Sequence, residues 1–403
     1  MSPSQILNQS FTLPCGVTIP NRIVKSAMSE NNADSGGKPS DRIIKLYETW
    51  GKGGAGVLIS GNVMMDSKAL GEEHNVVVED EKYLPELTRW ATECQKNGSH
   101  LWMQINHPGR QAPKFNKDVV SPSNVMLPIM KGMFKEPRPL EETEIWKLIE
   151  GFGRTALIAQ KAGFKGVQIH GAHGYLVSQF LSTRTNLRTD KWGGSLENRA
   201  RFAIEIYRNI RQKTGANYPI GIKINSADFQ RGAFSEEESL EVIKMLAEEG
   251  MDMIEVSGGT YEKAAMMGRK LKKSTQEREA YFADFIVKAR KVTNAPLLLT
   301  GGFRTLEVMA KAIENKELDF VGIARPFAVN PFLAKELIEG KITEIRGGNV
   351  DTGIGFIDKM GFMDTTWHAE NMKIMGKGKM PNPKLSPLKV FFKFAWENMF
   401  SKK

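Results

Sequence analysis

Two histidines and a tyrosine occur close together in the segment Gln168-Ile-His170-Gly-Ala-His173-Gly-Tyr175, at the end of a predicted strand. Neutral imidazole N–H groups can donate to a carbonyl or nitro oxygen, and a phenol that stays protonated at pH 7 can deliver a proton. We therefore take His170, His173 and Tyr175 as candidate catalytic residues. The alternative, in which they bond only to the neighbouring backbone, remains open. A zinc site is disfavoured because the spacing identifies no third ligand.

A second group of residues has the composition of a phosphate site. Thr300-Gly-Gly-Phe303 and Gly322-Ile-Ala-Arg325 follow the last two predicted strands. Glycines let backbone N–H groups approach an anion, and an arginine adds charge and bidentate geometry. Turn glycines beside a solvated arginine are the alternative. By contrast, Gly51-x-Gly-Gly-x-Gly56 precedes a strand instead of opening a helix, so it is not a dinucleotide-binding fingerprint.

These residues need a scaffold that brings the ends of distant strands together, and the apolar pattern predicts one. Eight short, continuous apolar runs alternate with longer amphipathic segments, as in strands that are covered on both faces. Repeated strand–helix units fit an α/β fold, a closed (β/α)8 TIM barrel, better than a doubly wound sheet. The predicted strands are Ile23–Met28, Val57–Ser60, His100–Asn106, Gly166–His170, Ile220–Asn225, Asp252–Val256, Pro296–Thr300 and Phe320–Ile323.

Other segments complete the predicted organisation. Capping residues and helical spacing predict helices over Pro139–Ala162, Ser195–Thr214 and Ser235–Glu249. The Pro-rich stretch Pro108–Pro139 predicts a long loop that caps the barrel after strand three. Gly347–Pro387 is rich in Gly, Met and Lys, and Leu388–Phe400 has the apolar spacing of an amphipathic helix. We therefore predict a barrel over residues 1–340 and a C-terminal extension over residues 341–403.

Composition excludes several classes of protein. Hydrophobic residues make up 41% of the 403 residues, which is enough for a sizeable core, but no apolar run reaches the roughly 18 residues of a membrane-spanning helix. Most of the net charge of +10 lies beyond Asn371, and the sequence has no common nucleic-acid-binding motif. Two cysteines are too few for an iron–sulfur cluster or a disulfide scaffold. The N-terminus has no secretory pattern, so we expect a cytoplasmic protein.

Taken in order, the motifs resemble those of the Old Yellow Enzyme family of FMN-dependent NAD(P)H oxidoreductases, over about residues 10 to 335. The matching segments are Pro20–Ser29, Gln104–Arg110, Ala162–Leu176, Gln179–Ser182, Asn186–Asp190, Gly193–Phe202 and Gly322–Pro326. The resemblance implies a barrel that binds FMN at its open end. It also implies that NADH or NADPH is the hydride donor.

The resemblance gives each matching residue a role. The residues that would border the isoalloxazine ring are Ser26, Ala27, Met28, Ser29 and Gly61. Gln104 would bind the pyrimidine edge, and Lys223 would face N1 and the C2 oxygen, where its charge stabilises the reduced anionic flavin. The phosphate would be held by Gly301, Gly302, Phe303, Ala324 and Arg325. His170 and His173 would bind the electron-withdrawing oxygen of the substrate, and Tyr175 would be the proton donor.

The sequence departs from the family pattern at three positions. Ser29 stands where the family usually has Thr or Cys, and it keeps a hydroxyl that can tune the redox potential of the flavin. Lys223 replaces a more usual Arg, so the charge is kept but the bidentate fork is lost. Asn106 occupies a position that is often aromatic, and the loop Pro113–Pro137 has no clear family pattern. Asn106 and this loop leave the size of the substrate open.

The resemblance implies a flavin-dependent ene-reductase that acts on α,β-unsaturated carbonyl or nitro compounds. One alternative keeps the flavin but passes the electrons to O2 or a quinone, as in an NAD(P)H oxidase or dehydrogenase. Another is a barrel whose amphipathic tail recruits it to a membrane or to a partner protein. The apolar tail also leads us to expect a homo-oligomer.

Overall fold

A computed structural model describes residues 1–128, 132–259, 282–345, 350–359 and 363–400 of the chain. Eight parallel strands form a barrel, in which each strand pairs with the next and the eighth pairs with the first. The predicted (β/α)8 TIM barrel is therefore confirmed. The strands are β1 (Ile23–Lys25), β2 (Val57–Ile59), β3 (His100–Asn106), β4 (Gly166–Gly171), β5 (Ile220–Asn225), β6 (Met253–Ser257), β7 (Leu297–Thr300) and β8 (Phe320–Ile323).

Strands β3, β5 and β8 have the bounds that the apolar runs predict, whereas β1 is shorter. It ends at Lys25 instead of Met28. The Ser26 N–H still donates to the Ile323 oxygen at 2.9 Å, and the chain then leaves the sheet. Residues 26–29 are therefore a loop at the carboxyl end of the barrel.

Helices surround the strands. In chain order they are α1 (Pro3–Leu7), α2 (Asp41–Gly51), α3 (Leu84–Gln95), α4 (Glu142–Lys161), α5 (Leu176–Leu181), α6 (Leu196–Thr214), α7 (Glu236–Glu248), α8 (Ala283–Val292), α9 (Leu306–Glu314), α10 (Leu333–Ile338), α11 (Gly355–Lys359), α12 (Met363–Gly376) and α13 (Pro387–Phe400). Ser195 and Ser235 cap α6 and α7 as their sequences predict, since each hydroxyl accepts from a backbone N–H in the first turn.

Helix α4 begins three residues later than predicted. Arg138–Pro139 forms a short strand that pairs with Val120–Ser121 inside the capping loop. The chain then enters the helix at Glu142, where Glu144 accepts from the Glu141 N–H at 2.9 Å. The proline of the predicted helix start therefore belongs to the loop after β3.

The barrel interior is apolar only in its lower part. Because side chains alternate across a strand, every second residue of each barrel strand points inward. The inward residues nearest the amino ends form one buried cluster with the turn below them: Leu13, Ile19, Val24, Val57, Ile59, Trp102, Met253, Leu298 and Phe320. Above this cluster, toward the carboxyl ends of the strands, the inward residues are polar.

The C-terminal extension packs against the barrel helices. Buried Met372 and Met375 of α12 join the main core, and Trp367 donates from Nε1 to the Leu385 oxygen at 2.8 Å. The predicted amphipathic helix is α13, whose Val390 is buried against Trp367 and its neighbours. The division of the chain at residue 340 stays a prediction.

One face of α13 is exposed. Phe392 is 65% and Trp396 62% exposed. A single chain does not test the expected homo-oligomer, which stays a prediction. Lys402 and Lys403 of the basic tail lie outside the described residues. In the described part of the chain, no helix combines the length and the apolarity that crossing a bilayer requires.

Candidate active site at the mouth of the barrel

Six polar side chains form a layer across the barrel, directly above the apolar cluster. We call them the polar layer: Ser26, Gln104, Gln168, Lys223, Glu255 and Thr300. They come from β1 or its end and from β3 to β7, so no local stretch of sequence contains more than one of them. Barrel interiors are usually filled by branched apolar residues, which makes such a layer a candidate for function.

Hydrogen bonds join the polar layer into one chain. Gln104 Nε2 donates to Gln168 Oε1 at 2.7 Å, and Gln168 Nε2 donates to Glu255 Oε2 at 2.7 Å. The Thr300 hydroxyl donates to Glu255 Oε1 at 2.7 Å, and Lys223 Nζ lies 3.0 Å from the same oxygen. Since Thr300 gives its proton to Glu255, the 2.7 Å contact between Ser26 and Thr300 must be donated by Ser26. The Glu255 carboxylate thus accepts hydrogen bonds from side chains of three other strands, β4, β5 and β7.

Above the polar layer, the three candidate catalytic residues meet. The rings of His170 and His173 have centroids 5.2 Å apart, and those of His170 and Tyr175 are 4.7 Å apart. His173 has a left-handed backbone, with φ 61°, which is held by Asn225 Oδ1 accepting from its N–H at 3.1 Å. Such a backbone is strained for a residue with a Cβ. With this backbone at His173, both imidazoles and the phenol lie together at the mouth.

Both imidazoles are neutral at physiological pH. Burial, with His173 and Lys223 nearby, holds the pKa of His170 well below its usual range. Burial and the charge of Lys223 lower the pKa of His173 to about 3. His170 Nδ1 accepts from the Ala172 N–H at 3.3 Å, so the proton of its neutral ring is on Nε2. His173 Nε2 lies 2.8 Å from the Ser257 hydroxyl, which fixes the ring.

The phenol of Tyr175 has a partner that the sequence did not reveal. Asn62 Nδ2 lies 3.4 Å from the Tyr175 oxygen and donates to it. A hydrogen bond to this oxygen favours the phenolate that remains when the proton leaves. Asn62 follows Gly61 just after β2, so both residues stand at the same edge of the mouth.

The loop after β1 and the residue Gly61 pack tightly together. A Cβ on Gly61 would lie 2.0 Å from Glu30 Oε2 and 2.3 Å from the Met28 oxygen, so no side chain fits there. The Gly61 N–H donates to Glu30 Oε1 at 2.9 Å. Ser29 donates to Glu72, whose pKa is raised by burial. Ala27 and Met28 lie between these contacts, at the rim of the barrel.

The candidate phosphate residues come together at the ends of β7 and β8. Gly301 and Gly302 have φ of 117° and 89°, values that glycine adopts without strain. In the described residues, no acceptor exists for the backbone N–H groups of Gly302, Phe303 and Ala324. Three backbone donors without partners at one edge suit an anion.

Arg325 does not stand alone at this edge. Its guanidinium donates to Asp364 of α12, a residue that is 4% exposed. The extension therefore contributes a buried carboxylate to the same region as the unpartnered backbone donors. Sequence reasoning missed Asp364, because nothing in its local pattern distinguishes it from other acidic residues at a helix start.

These observations fit the FMN that the resemblance implies. The unpartnered N–H groups near Arg325 can hold a phosphate, and Gln104 and Lys223 lie below the mouth where a ring system would be bound. Asn106 is the next inward residue of β3 after Gln104. It is buried, and in the described residues neither amide atom has a partner. The mouth therefore offers hydrogen-bond donors and acceptors that have no partner among the described residues.

Comparison with known proteins finds related sequences. The model of the NADH:flavin oxidoreductase / NADH oxidase family matches residues 11–344. The NADH-dependent flavin oxidoreductase iliE of Hypocrea jecorina (strain QM6a) is 40% identical over 354 residues, which cover 81% of this chain and 88% of that protein. The NADH oxidase of Thermoanaerobacter brockii is 36% identical over 336 residues, which cover 82% of this chain and 50% of that protein.

Solved structures share the fold. A 2-naphthoyl-CoA reductase in complex with 2-naphthoyl-CoA matches with a TM-score of 0.80 and 27% identity, over 92% of this chain and 58% of that chain. An Old Yellow Enzyme homologue from Zymomonas mobilis matches with a TM-score of 0.72 and 20% identity, over 94% of this chain and 98% of that chain. The second likeness supports the barrel fold alone.

Proposed function

The chain belongs to the NADH:flavin oxidoreductase / NADH oxidase family and is an FMN- and NAD(P)H-dependent enzyme of the Old Yellow Enzyme type, and from this premise we propose that it reduces the C=C bond of α,β-unsaturated carbonyl or nitro compounds. The observation that carries the proposal is the cluster of two neutral imidazoles and a hydrogen-bonded phenol at the mouth. Hydrogen-bond donors and a proton donor on one side of a redox site match the needs of a polarised alkene.

In this proposal His170 and His173 bind the activating oxygen of the substrate. Nε2–H of His170 donates to that oxygen, and the lowered pKa of the ring keeps its protonation state the same throughout the physiological pH range. The bond strengthens as electron density moves from the alkene toward the oxygen, which lowers the barrier. His173, held by Asn225 and Ser257, defines where the oxygen lies.

Tyr175 delivers the proton. When bound, FMN supplies the hydride chemistry, with NADH or NADPH as the source of the electron pair. In the holoenzyme the β-carbon of the alkene would gain that hydride, Tyr175 would give its proton to the α-carbon, and two C–H bonds would replace the C=C π bond. The phenolate left on Tyr175 is stabilised by Asn62 and is reprotonated from solvent. One hydride from the nicotinamide and one proton from Tyr175 therefore account for the two hydrogens that the C=C bond gains.

We also propose that FMN is bound by the residues that the family pattern assigns. Ser26 to Ser29 and Gly61 border its ring, Gln104 and Lys223 bind the pyrimidine side, and Gly301 to Phe303 with Ala324 and Arg325 hold the phosphate. The unpartnered backbone donors at this edge support the last assignment. The two amide atoms of Asn106 have no partner in the part of the chain that the structure describes, and we propose that they bind a further polar group of the substrate.

Gly302→Ala should weaken FMN binding about tenfold, because a Cβ at φ 89° costs roughly 1–2 kcal/mol in the conformation that presents the phosphate donors. The measurement is the Kd of FMN for the apoprotein, by quenching of flavin fluorescence. Gly98→Ala is the matched control, since Gly98 also has φ 89°, has open space around its Cα and lies far from β7 and β8 in sequence. Equal affinities of the two variants would contradict the phosphate assignment.

The alternative acceptors, O2 and quinones, need no positioned proton donor beside the imidazoles, which is why ene-reduction is preferred. The test compares the purified holoenzyme under two conditions: anaerobic NADH or NADPH oxidation with cyclohex-2-enone, and aerobic oxidation without it. We expect the enone to be reduced and its turnover to exceed the aerobic rate. Aerobic oxidation that outpaces enone reduction would instead identify an oxidase.

A further inference from the structure

The polar layer contains a charged residue that the reaction itself does not require. Glu255 is fully buried, with no exposed surface, and its neighbours along β6, Ile254 and Val256, are apolar. A buried carboxylate without partners would be very unfavourable, and even a paired one is often no more stable than an apolar substitute. Stability alone therefore does not explain why the layer has a carboxylate at this position.

We propose that Glu255 is a positioning residue that balances the charge of Lys223 and thereby sets the redox potential of the bound flavin. The inference rests on the proposed placement of FMN above the polar layer. It assigns to Glu255 a role that is separate from substrate binding and from proton transfer.

The charges around the layer support this role. Lys223 is 3% exposed, and its Nζ lies 3.0 Å from Glu255 Oε1, so the two form a buried pair without net charge. Lys25 is also buried, but it points out of the barrel, where its Nζ donates to the Ile59 oxygen at 2.7 Å and lies 4.5 Å from the ring centre of Trp50. A cation below a ring favours the electron-rich, reduced state of that ring. Glu255 reduces this effect of Lys223.

The geometry adds a second effect of the same carboxylate. A carboxylate only accepts hydrogen bonds, so it forces Thr300 and Gln168 to donate to it. Gln168 must then present its Oε1 to Gln104, whose Nε2 donates to it. The orientation of the Gln104 amide is thereby fixed from Glu255, two side chains away. A glutamine at position 255 would offer one acceptor and one donor, and would keep neither the charge nor the order of donors.

The test is the FMN midpoint potential of the full-length holoenzyme, measured anaerobically against reference dyes. Glu255→Gln should raise the potential by about 30 mV or more, which is a tenfold shift of the two-electron equilibrium toward reduced flavin. Glu255→Asp, which keeps the charge, should restore most of the wild-type value. Thr300→Val is the matched control, because it removes one hydrogen-bond donor to Glu255 Oε1 but no charge. It should shift the potential far less.

A double variant separates the charge from other effects. Lys223→Met alone should lower the potential, and Lys223→Met combined with Glu255→Leu should return it close to the wild-type value, because the pair is removed as a neutral unit. An unchanged or lowered potential in Glu255→Gln would overturn the inference. If Glu255→Gln fails to retain FMN, the comparison of Lys223→Met with the double variant decides, because both lack the Lys223 side chain: a higher potential in the double variant supports the role, and equal potentials contradict it.

The result is distinguishable from a failure of the proposed function. Wild-type protein that binds no FMN would refute the placement on which the inference rests. Wild-type protein that binds FMN but does not reduce enones would refute the proposed substrate class, and the comparison of potentials among the Glu255 variants would remain valid.

Discussion

Tyr175→Phe is expected to slow alkene reduction by roughly 10²- to 10⁴-fold, the usual contribution of a positioned acid. The phenylalanine keeps the ring that packs 4.7 Å from His170 and removes only the hydroxyl to which Asn62 donates. Oxidation of NADH or NADPH by the bound flavin needs no proton from this hydroxyl, so its rate should stay near that of the wild-type enzyme. Stopped-flow absorbance at the flavin band measures the two half-reactions separately.

Tyr207→Phe is the control for this variant. Tyr207 lies on the outer helix α6 and donates to the Gly250 oxygen at 2.8 Å, far from the mouth in the fold. Its loss removes a buried phenol hydroxyl of the same kind and should leave both half-reactions unchanged. Equal slowing of the two half-reactions in Tyr175→Phe would show that Tyr175 acts on the cofactor or on folding and not as the proton donor.

His170→Leu should lower kcat/KM for an enone by about 10²- to 10³-fold, the usual loss when one donor to a developing negative charge is removed. His170→Asn, which can still present an N–H group, should retain part of the rate. Steady-state kinetics with a fixed concentration of NADH gives the values. His100→Asn is the control, since His100 begins β3 at the opposite end of the barrel.

The pH dependence provides an independent check of the same residue. Since the pKa of His170 is well below its usual range and that of His173 is about 3, both rings keep the same neutral state between pH 5 and 8. The pH profile of kcat/KM should therefore show no inflection from these groups in that interval. If kcat/KM instead falls as pH rises through an inflection near pH 6.5, and this inflection disappears in His170→Asn, the imidazolium and not the neutral ring binds the oxygen.

The barrel could be predicted from the sequence because its strands are buried on both faces. Continuous apolar runs such as Ile220–Asn225 and Phe320–Ile323 leave little choice of structure, and the strand–helix alternation then implies closure. The run Ile23–Met28 predicts a β1 that is three residues too long, because hydrophobicity does not distinguish a strand from an apolar loop that follows it. Pro139 was misplaced for a similar reason: a proline before a capped helix fits a loop as well as a helix start.

The site was predicted only where its residues are adjacent in sequence or match a known motif. His170, His173 and Tyr175 share one segment, and the structure brings them together. Glu255 and Asp364 act across the fold, since the cations with which they pair, Lys223 and Arg325, lie 32 and 39 residues away in sequence. An acidic residue inside the apolar run Ile254-Glu-Val256 was the one local sign of Glu255, since a strand covered on both faces has no solvent to hydrate it.

The contact between Arg325 and Asp364 connects the barrel with the C-terminal extension. The last barrel strand supplies the guanidinium and the extension supplies the carboxylate, so the arginine is oriented by a segment that the barrel does not need for closure. A shortened version of the chain, trimmed to its catalytic part for use as a biocatalyst, would leave this guanidinium without its buried partner. Under the proposed assignment of Arg325 to the FMN phosphate, the C-terminal extension therefore contributes to retention of the cofactor.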